Sequence, residues 1–124
     1  MRKLASIRKI SGVEVIPEAE KICAYVVDGW KIVDAKGKYE VGELVVMLEI
    51  DSWVPHELAP FLSKGQEPRV YNGVKGERLR TIKLRGQVSQ GLLLPKDTPV
   101  SICKYPLMQR LNEDVSKYYY VNIS

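Results

Sequence analysis

Histidine, phenylalanine and cysteine are scarce in this 124-residue chain, which holds one His, one Phe and two Cys. Cys23 and Cys103 lie eighty positions apart with no Cys-x-x-Cys pair, and His56 stands alone. Neither a disulfide framework nor a zinc site is indicated. Both cysteines are expected to be reduced and structural, because a free cysteine usually behaves as a small buried hydrophobe. Long apolar runs are missing too. No stretch approaches the roughly 20 residues of a membrane-spanning helix. Met1-Arg2-Lys3-Leu4, followed by Ser6, Arg8 and Lys9, has no signal-peptide apolar segment. An intracellular, cytoplasmic address with no membrane partner is expected. The phosphate-cradling glycine loops and any nucleophile–base constellation are also absent. Glu49 and Asp51 are two apart on a strand, but without a third ligand they are weak evidence for metal binding or acid–base chemistry. His56 has no evident partner in sequence, which favours a surface or capping role. No catalytic residue, metal site or cofactor is therefore assigned to this chain.

What remains is an ordinary globular composition, 45% hydrophobic and 27% charged, in a length suited to one domain. Its patterning is that of strands. Leu4 to Ile16 is rich in β-branched residues and reads as one long strand bent at Gly12. Ile22 to Val27 and Trp30 to Val33 flank Asp28-Gly29, a pair suited to a two-residue hairpin because both residues tolerate positive φ. Leu44 to Ile50 is the most apolar run and reads as a central strand buried on much of both faces. His56 to Leu62 is at best a short helix, limited by Pro60. Gly91 to Pro95 supplies a further strand, and Tyr105 to Tyr120 forms a weaker tail that includes at most a helix. The predicted fold is all-β: a small five-stranded OB-type barrel with one short helix and a C-terminal tail, an SH3-like barrel being the alternative. One domain over 1–124 is expected, with the barrel at roughly 3–95 and a tail or linker at 96–124.

Charge is unevenly distributed. Residues 64–88 carry seven cations (Lys64, Arg69, Lys75, Arg78, Arg80, Lys83, Arg85) against Glu67 and Glu77. All other residues together carry twelve cations and thirteen acids, so this segment holds the whole positive excess of the +4 chain. That is the footprint of a polyanion partner. Arg78, Arg80, Lys83 and Arg85 are the first candidates for phosphate contacts, with Lys75 beside them, since guanidinium forks match phosphate oxygens and lysine adds point charge. The competing reading is a solvated strand face whose cations discourage edge pairing. Strict alternation does not place all four on one face, so either a bulge near Thr81 re-aims the strand or the two pairs face different ways. Trp30, Lys31, Trp53 and Tyr71 are aromatic and basic candidates for base stacking. Core packing is preferred for Trp53, and Phe61, beside Leu58 and Leu62, is expected in the core.

The stretch Arg78-Leu79-Arg80-Thr81-Ile82-Lys83-Leu84-Arg85-Gly86-Gln87-Val88-Ser89-Gln90-Gly91-Leu92-Leu93-Leu94-Pro95 resembles the amino-terminal OB module of the Deinococcus-type and Naegleria-type ATP-dependent RNA ligases. Leu4-Ala5-Ser6-Ile7, Val27-Asp28-Gly29-Trp30, Val41-Gly42-Glu43-Leu44 and Glu49-Ile50-Asp51-Ser52 agree in order. The resemblance covers roughly residues 1–95 and, more loosely, Asn112 to Tyr118. It implies that a separate nucleotidyltransferase domain, in cis or in trans, takes AMP from ATP on a Lys-x-Asp-Gly lysine with a divalent metal, then seals a 5′-phosphate to a 3′-hydroxyl. No Lys-x-Asp-Gly occurs here, since Val26 stands where that lysine would precede Val27-Asp28-Gly29. The chain is thus expected to be an amino-terminal piece of such a ligase or a stand-alone relative, not catalytic alone. Its implied partner is RNA or an RNA-containing duplex, nicked or broken. Gly86, Gln87, Gln90 and Gly91 are expected to be structural, the glutamines bonding strand edges. A tRNA-binding OB domain and a protein-docking barrel remain as alternatives.

Overall fold

A computed structural model describes residues 4–71, 73–104 and 121–123, and among them the architecture is all-β. The first eleven strands are β1 (Ala5–Lys9), β2 (Gly12–Val15), β3 (Ile22–Val27), β4 (Trp30–Ala35), β5 (Leu44–Leu48), β6 (Ser52–Pro55), β7 (Arg69–Tyr71), β8 (Val74–Arg78), β9 (Ile82–Leu84), β10 (Gln87–Ser89) and β11 (Leu92–Pro95). They are followed by β12 (Val100–Lys104) and β13 (Val121–Ile123). The described helical content is one 3-10 turn, Pro60–Ser63. Pro60 opens this turn rather than limiting one that began at His56, in keeping with the proline ring's fitness for a first helical position. The strands form four small sheets, β1-β5-β11, β2-β3-β4, β13-β12-β6-β8-β7 and β10-β9. No closed five-stranded circuit of strand pairing runs through the described residues. The predicted tail from Tyr105 to Tyr120 lies outside them.

The bend in the first strand falls at Ile10-Ser11, just before Gly12. There the backbone changes partners: the Ile10 N–H donates to Glu43 O at 2.9 Å, whereas the Ser11 N–H donates to Val26 O at 2.8 Å. β1 thereby pairs with β5 and β2 with β3. The Asp28-Gly29 hairpin forms as its residues dictate, with φ of 48° and 84° closing β3 onto β4 at Val27 and Trp30.

Four consecutive residues of β5, Val45 to Leu48, are fully buried because packed side chains cover both faces of the strand. Val45 and Met47 join Ile10, Tyr25, Val27, Ile32, Tyr39 and Leu93. Val46 and Leu48 join Leu4, Ala5, Val54, Leu79, Leu94, Val100 and Ile102. β5 and β11 pair directly, so the segment between them, which contains β6 to β10, is an insertion in the chain between two neighbouring strands; its β6 to β8 share a second sheet with β12, and β10 packs against β4. In the first core the Tyr25 hydroxyl donates to Ala35 O at 2.6 Å and accepts the N–H groups of Lys38 and Tyr39. Burial pushes the Tyr39 hydroxyl up to about 12, helped by the negative charges of Asp34 and Glu43. In the insertion, β8 crosses β6 so closely at Gly76 that a Cβ there would collide with the Val54 carbonyl.

Candidate nucleic-acid interface

The predicted basic strand is interrupted. β8 ends at Arg78, whose Nε and Nη2 both donate to Asp51 Oδ1, at 2.9 and 2.6 Å. Leu79 exchanges backbone hydrogen bonds with the β6 end, donating to Ser52 O and accepting from the Asp51 N–H, each at 2.8 Å, and buries its side chain in the second core. Arg80 and Thr81 then run exposed outside any ladder before β9 and β10 form their own hairpin. Arg85 and Gly86, with φ of 50° and 82°, make its two-residue turn. The change of parity between Arg80 and Ile82 is therefore a break in the strand, pinned by a buried leucine.

This break leaves a groove of about 750 Å³ between two walls. One wall is the β9–β10 hairpin with Ile82, Lys83 and Leu84. The other is the 3-10 turn and the residues after it, with Phe61, Leu62, Lys64, Gln66 and Arg69. Both walls are anchored. The Ser63 hydroxyl lies 3.5 Å from Glu77 Oε1, tying the turn to β8. On the hairpin side, the Val33 N–H donates to Ser89 Oγ at 2.9 Å and the Gln90 N–H donates to Lys31 O at 2.8 Å. The backbone N–H of Lys31 also lies 3.5 Å from Gln90 Oε1, the strand-edge role expected of the glutamines.

Cations around the groove differ in how they are compensated. Arg78 is held by Asp51, and Arg69 approaches Glu77 at 3.8 Å. Lys64, Arg80 and Lys83 are exposed, and their side chains make no ion pair or hydrogen bond to another described residue. Glu67 and Glu77 also line the groove, but five cations outnumber them, and the three cations without an ion pair project their field into solvent, the arrangement that recruits phosphate.

The groove gathers Arg78, Arg80 and Lys83 from the predicted set and leaves out the other four. Arg85 sits exposed at the hairpin turn. Lys75 is exposed on β8 and lies 3.9 Å from Glu67. Lys31 bridges to Glu14 at 2.9 Å, and Trp30 packs against the first core. Trp53 is buried as expected, its Nε1 donating to Val74 O at 3.0 Å and its ring 5.3 Å from that of Tyr71. Glu49 and Asp51 are turned to different arginines, Arg8 and Arg78. No group of three or more potential metal ligands occurs among the described residues. His56 is half-buried, its backbone N–H donating to Lys75 O and its Nδ1 buried without a hydrogen bond.

Phe61 corrects the sequence expectation. Leu58 and Leu62 pack on the second core, but the turn that starts at Pro60 sends the intervening ring outward, 61% exposed on the groove wall. Lys64 and Arg69 were visible only as members of the basic segment. Lys64 caps the turn in the left-handed conformation, φ 51°, which places it on the wall opposite Lys83.

A family model described as an OB-fold domain matches residues 4–96. Solved structures of Naegleria gruberi RNA ligase are similar to the chain. The ligase with PPi is 38% identical at a TM-score of 0.70, covering 100% of this chain and 37% of that one. An apo point mutant is 40% identical at a TM-score of 0.69, covering 94% and 33%. A mutant with AMP and Mn is 40% identical at a TM-score of 0.70, again covering 94% and 33%. The chain thus spans about a third of the ligase it matches. No curated protein matches it. No described helix is long and apolar enough to cross a membrane. An insertion-bearing β architecture and a family match across three-quarters of the residues lead to one assignment: the chain belongs to the OB-fold domain family.

Proposed function

We propose that this chain is the nucleic-acid-gripping OB module of an RNA-joining enzyme, holding a nicked or broken RNA-containing duplex while a separate nucleotidyltransferase domain seals 3′-hydroxyl to 5′-phosphate. The observation that carries the reading is the set of uncompensated cations, Lys64, Arg80 and Lys83, on both walls of one groove. The likeness to Naegleria gruberi RNA ligase supplies the context. ATP and a divalent metal would serve that separate domain. The residues here bind and orient: Lys64, Arg80 and Lys83 contact phosphate oxygens, and Arg78, fixed by Asp51, adds positive potential at the groove wall without swinging free. Fixing both ends of a break lowers the entropic cost of joining them, which is the module's contribution to rate.

Fluorescence anisotropy against a nicked RNA-containing duplex, the intact duplex, a single strand and folded tRNA tests this reading. Tighter binding to the nick, weakening steeply with salt, is the expected result. Preference for tRNA would turn the assignment toward a tRNA-binding module. Equal, negligible binding to all four at low salt would overturn the nucleic-acid reading.

A further inference from the structure

Of the large apolar side chains that the fold leaves exposed, three face the same cationic groove: Phe61 at 61%, Ile82 at 50% and Leu84 at 39%. A site that met only a phosphate backbone would need none of them, and exposing them in water is unfavourable. Phe61 is the chain's only phenylalanine and stands on the wall that also carries Lys64. Ile82 and Leu84 flank Lys83 on the other. Both walls are tied to the body of the domain, at Ser63–Glu77 and at Val33–Ser89, so the apolar surfaces are held open. The volume, about 750 Å³, is that of a small-molecule pocket (about 300–1,000 Å³) and suits a nucleotide unit better than a duplex.

We infer that the groove takes an unpaired nucleotide, its base against Phe61 with Ile82 and Leu84 and its flanking phosphates on Lys64, Arg80 and Lys83. The occupant is chosen by charge. The three cations lack ion-pair partners among the described residues and, with Arg69 and Arg78, outnumber Glu67 and Glu77 in the lining, which favours an anion, while the exposed Phe61 ring accepts any base by stacking. This inference rests on the nucleic-acid reading above and adds base contact to it. The module grips a frayed or unpaired end, whose base is free to enter, in preference to continuous duplex, whose bases are occupied by their own stack.

The test compares the domain with its Phe61→Ala and Phe61→Tyr variants, binding a short single-stranded RNA and the same backbone made abasic. Phe61 is mostly exposed, so both variants are expected to fold, and their melting temperatures check this. Wild type should prefer the base-bearing strand. Phe61→Ala should lose at least about fivefold for it, the low end of one stacked base, with no loss for the abasic strand, while Phe61→Tyr retains the preference. If wild type binds both strands but ignores the bases, or Phe61→Ala weakens both equally, base contact is refuted and backbone binding stands. If wild type binds neither at low salt, both readings fall together.

Discussion

Two groups of cations in this molecule sit in different surroundings. Around β1 to β4, Lys31 meets Glu14 at 2.9 Å, Lys38 meets Asp34 at 3.1 Å and Arg8 meets Asp28 at 2.7 Å. In the insertion, Lys64, Arg80 and Lys83 meet no acid among the described residues, and apolar side chains lie exposed beside them. The first pattern is that of a solvated surface, in which each exposed pair contributes little to stability. Lys9, Lys21 and Lys36 are likewise exposed without an ion pair among the described residues, and Ile7, Val15 and Val41 are exposed elsewhere; what distinguishes the second region is that unpaired cations and exposed apolar side chains line one groove. In the proposed reading, the site is distinguished by unpaired cations and exposed apolar side chains meeting in one groove, more than by the number of cations.

The largest expected effect separates the two regions by stability. Gly76→Ala drives a Cβ into the Val54 carbonyl and disrupts the β6–β8 pairing on which the groove stands. It should cost about 2–3 kcal/mol in urea denaturation, the upper range for overpacking. Gly29→Ala meets no atom within 4 Å and suffers only from its φ of 84°. It should cost about 1 kcal/mol. Equal costs would mean that the insertion is no more tightly built than the hairpin.

Asp51→Ala changes the insertion in a subtler way. The Arg78–Asp51 pair is about one-third exposed, so its loss should lower stability by no more than about 1 kcal/mol. Without Asp51 the Arg78 guanidinium contributes more positive charge to the groove wall, and affinity for RNA at low salt should rise a few-fold. A fall in affinity would mean that Asp51 is needed to position Arg78. Smallest is an alkaline effect confined to the other core. Tyr39 ionises near pH 10 when unfolded but only near pH 12 when folded, so its contribution is complete below pH 10 and lost as pH rises toward 12. Tyr39→Phe should flatten part of that decline in a pH series of melting temperatures. An unchanged decline would assign it elsewhere, for instance to Tyr25, whose hydroxyl is also raised by burial.

Local backbone chemistry made much of the fold legible. Asp28-Gly29 carries its own turn, and the apolar run Leu44 to Leu48 announces a strand covered on both faces. The bend at Ile10-Ser11 was harder to place because partners distant in sequence, Glu43 and Val26, create it. The same distinction governs the site. Charge density along residues 64–88 located the region. Which cations stay free depends on acids remote in the chain, Asp51 for Arg78 and Glu14 for Lys31. Phe61 was hidden for a related reason: its neighbours Leu58 and Leu62 look like core, and only the direction of the turn after Ala59 exposes the ring between them.

The salt dependence of RNA binding tests the central claim most directly, measured for wild type, for the Lys64→Ala/Arg80→Ala/Lys83→Ala triple variant and for Lys31→Ala/Lys38→Ala. Each phosphate contact contributes about 0.7 to the logarithmic salt slope for single strands and about 0.9 for duplex. The triple variant should therefore lose about 2 to 3 from that slope, together with most of its low-salt affinity, while the paired-lysine control keeps both. Equal losses in the two variants would show that net charge, and not the uncompensated groove, governs binding.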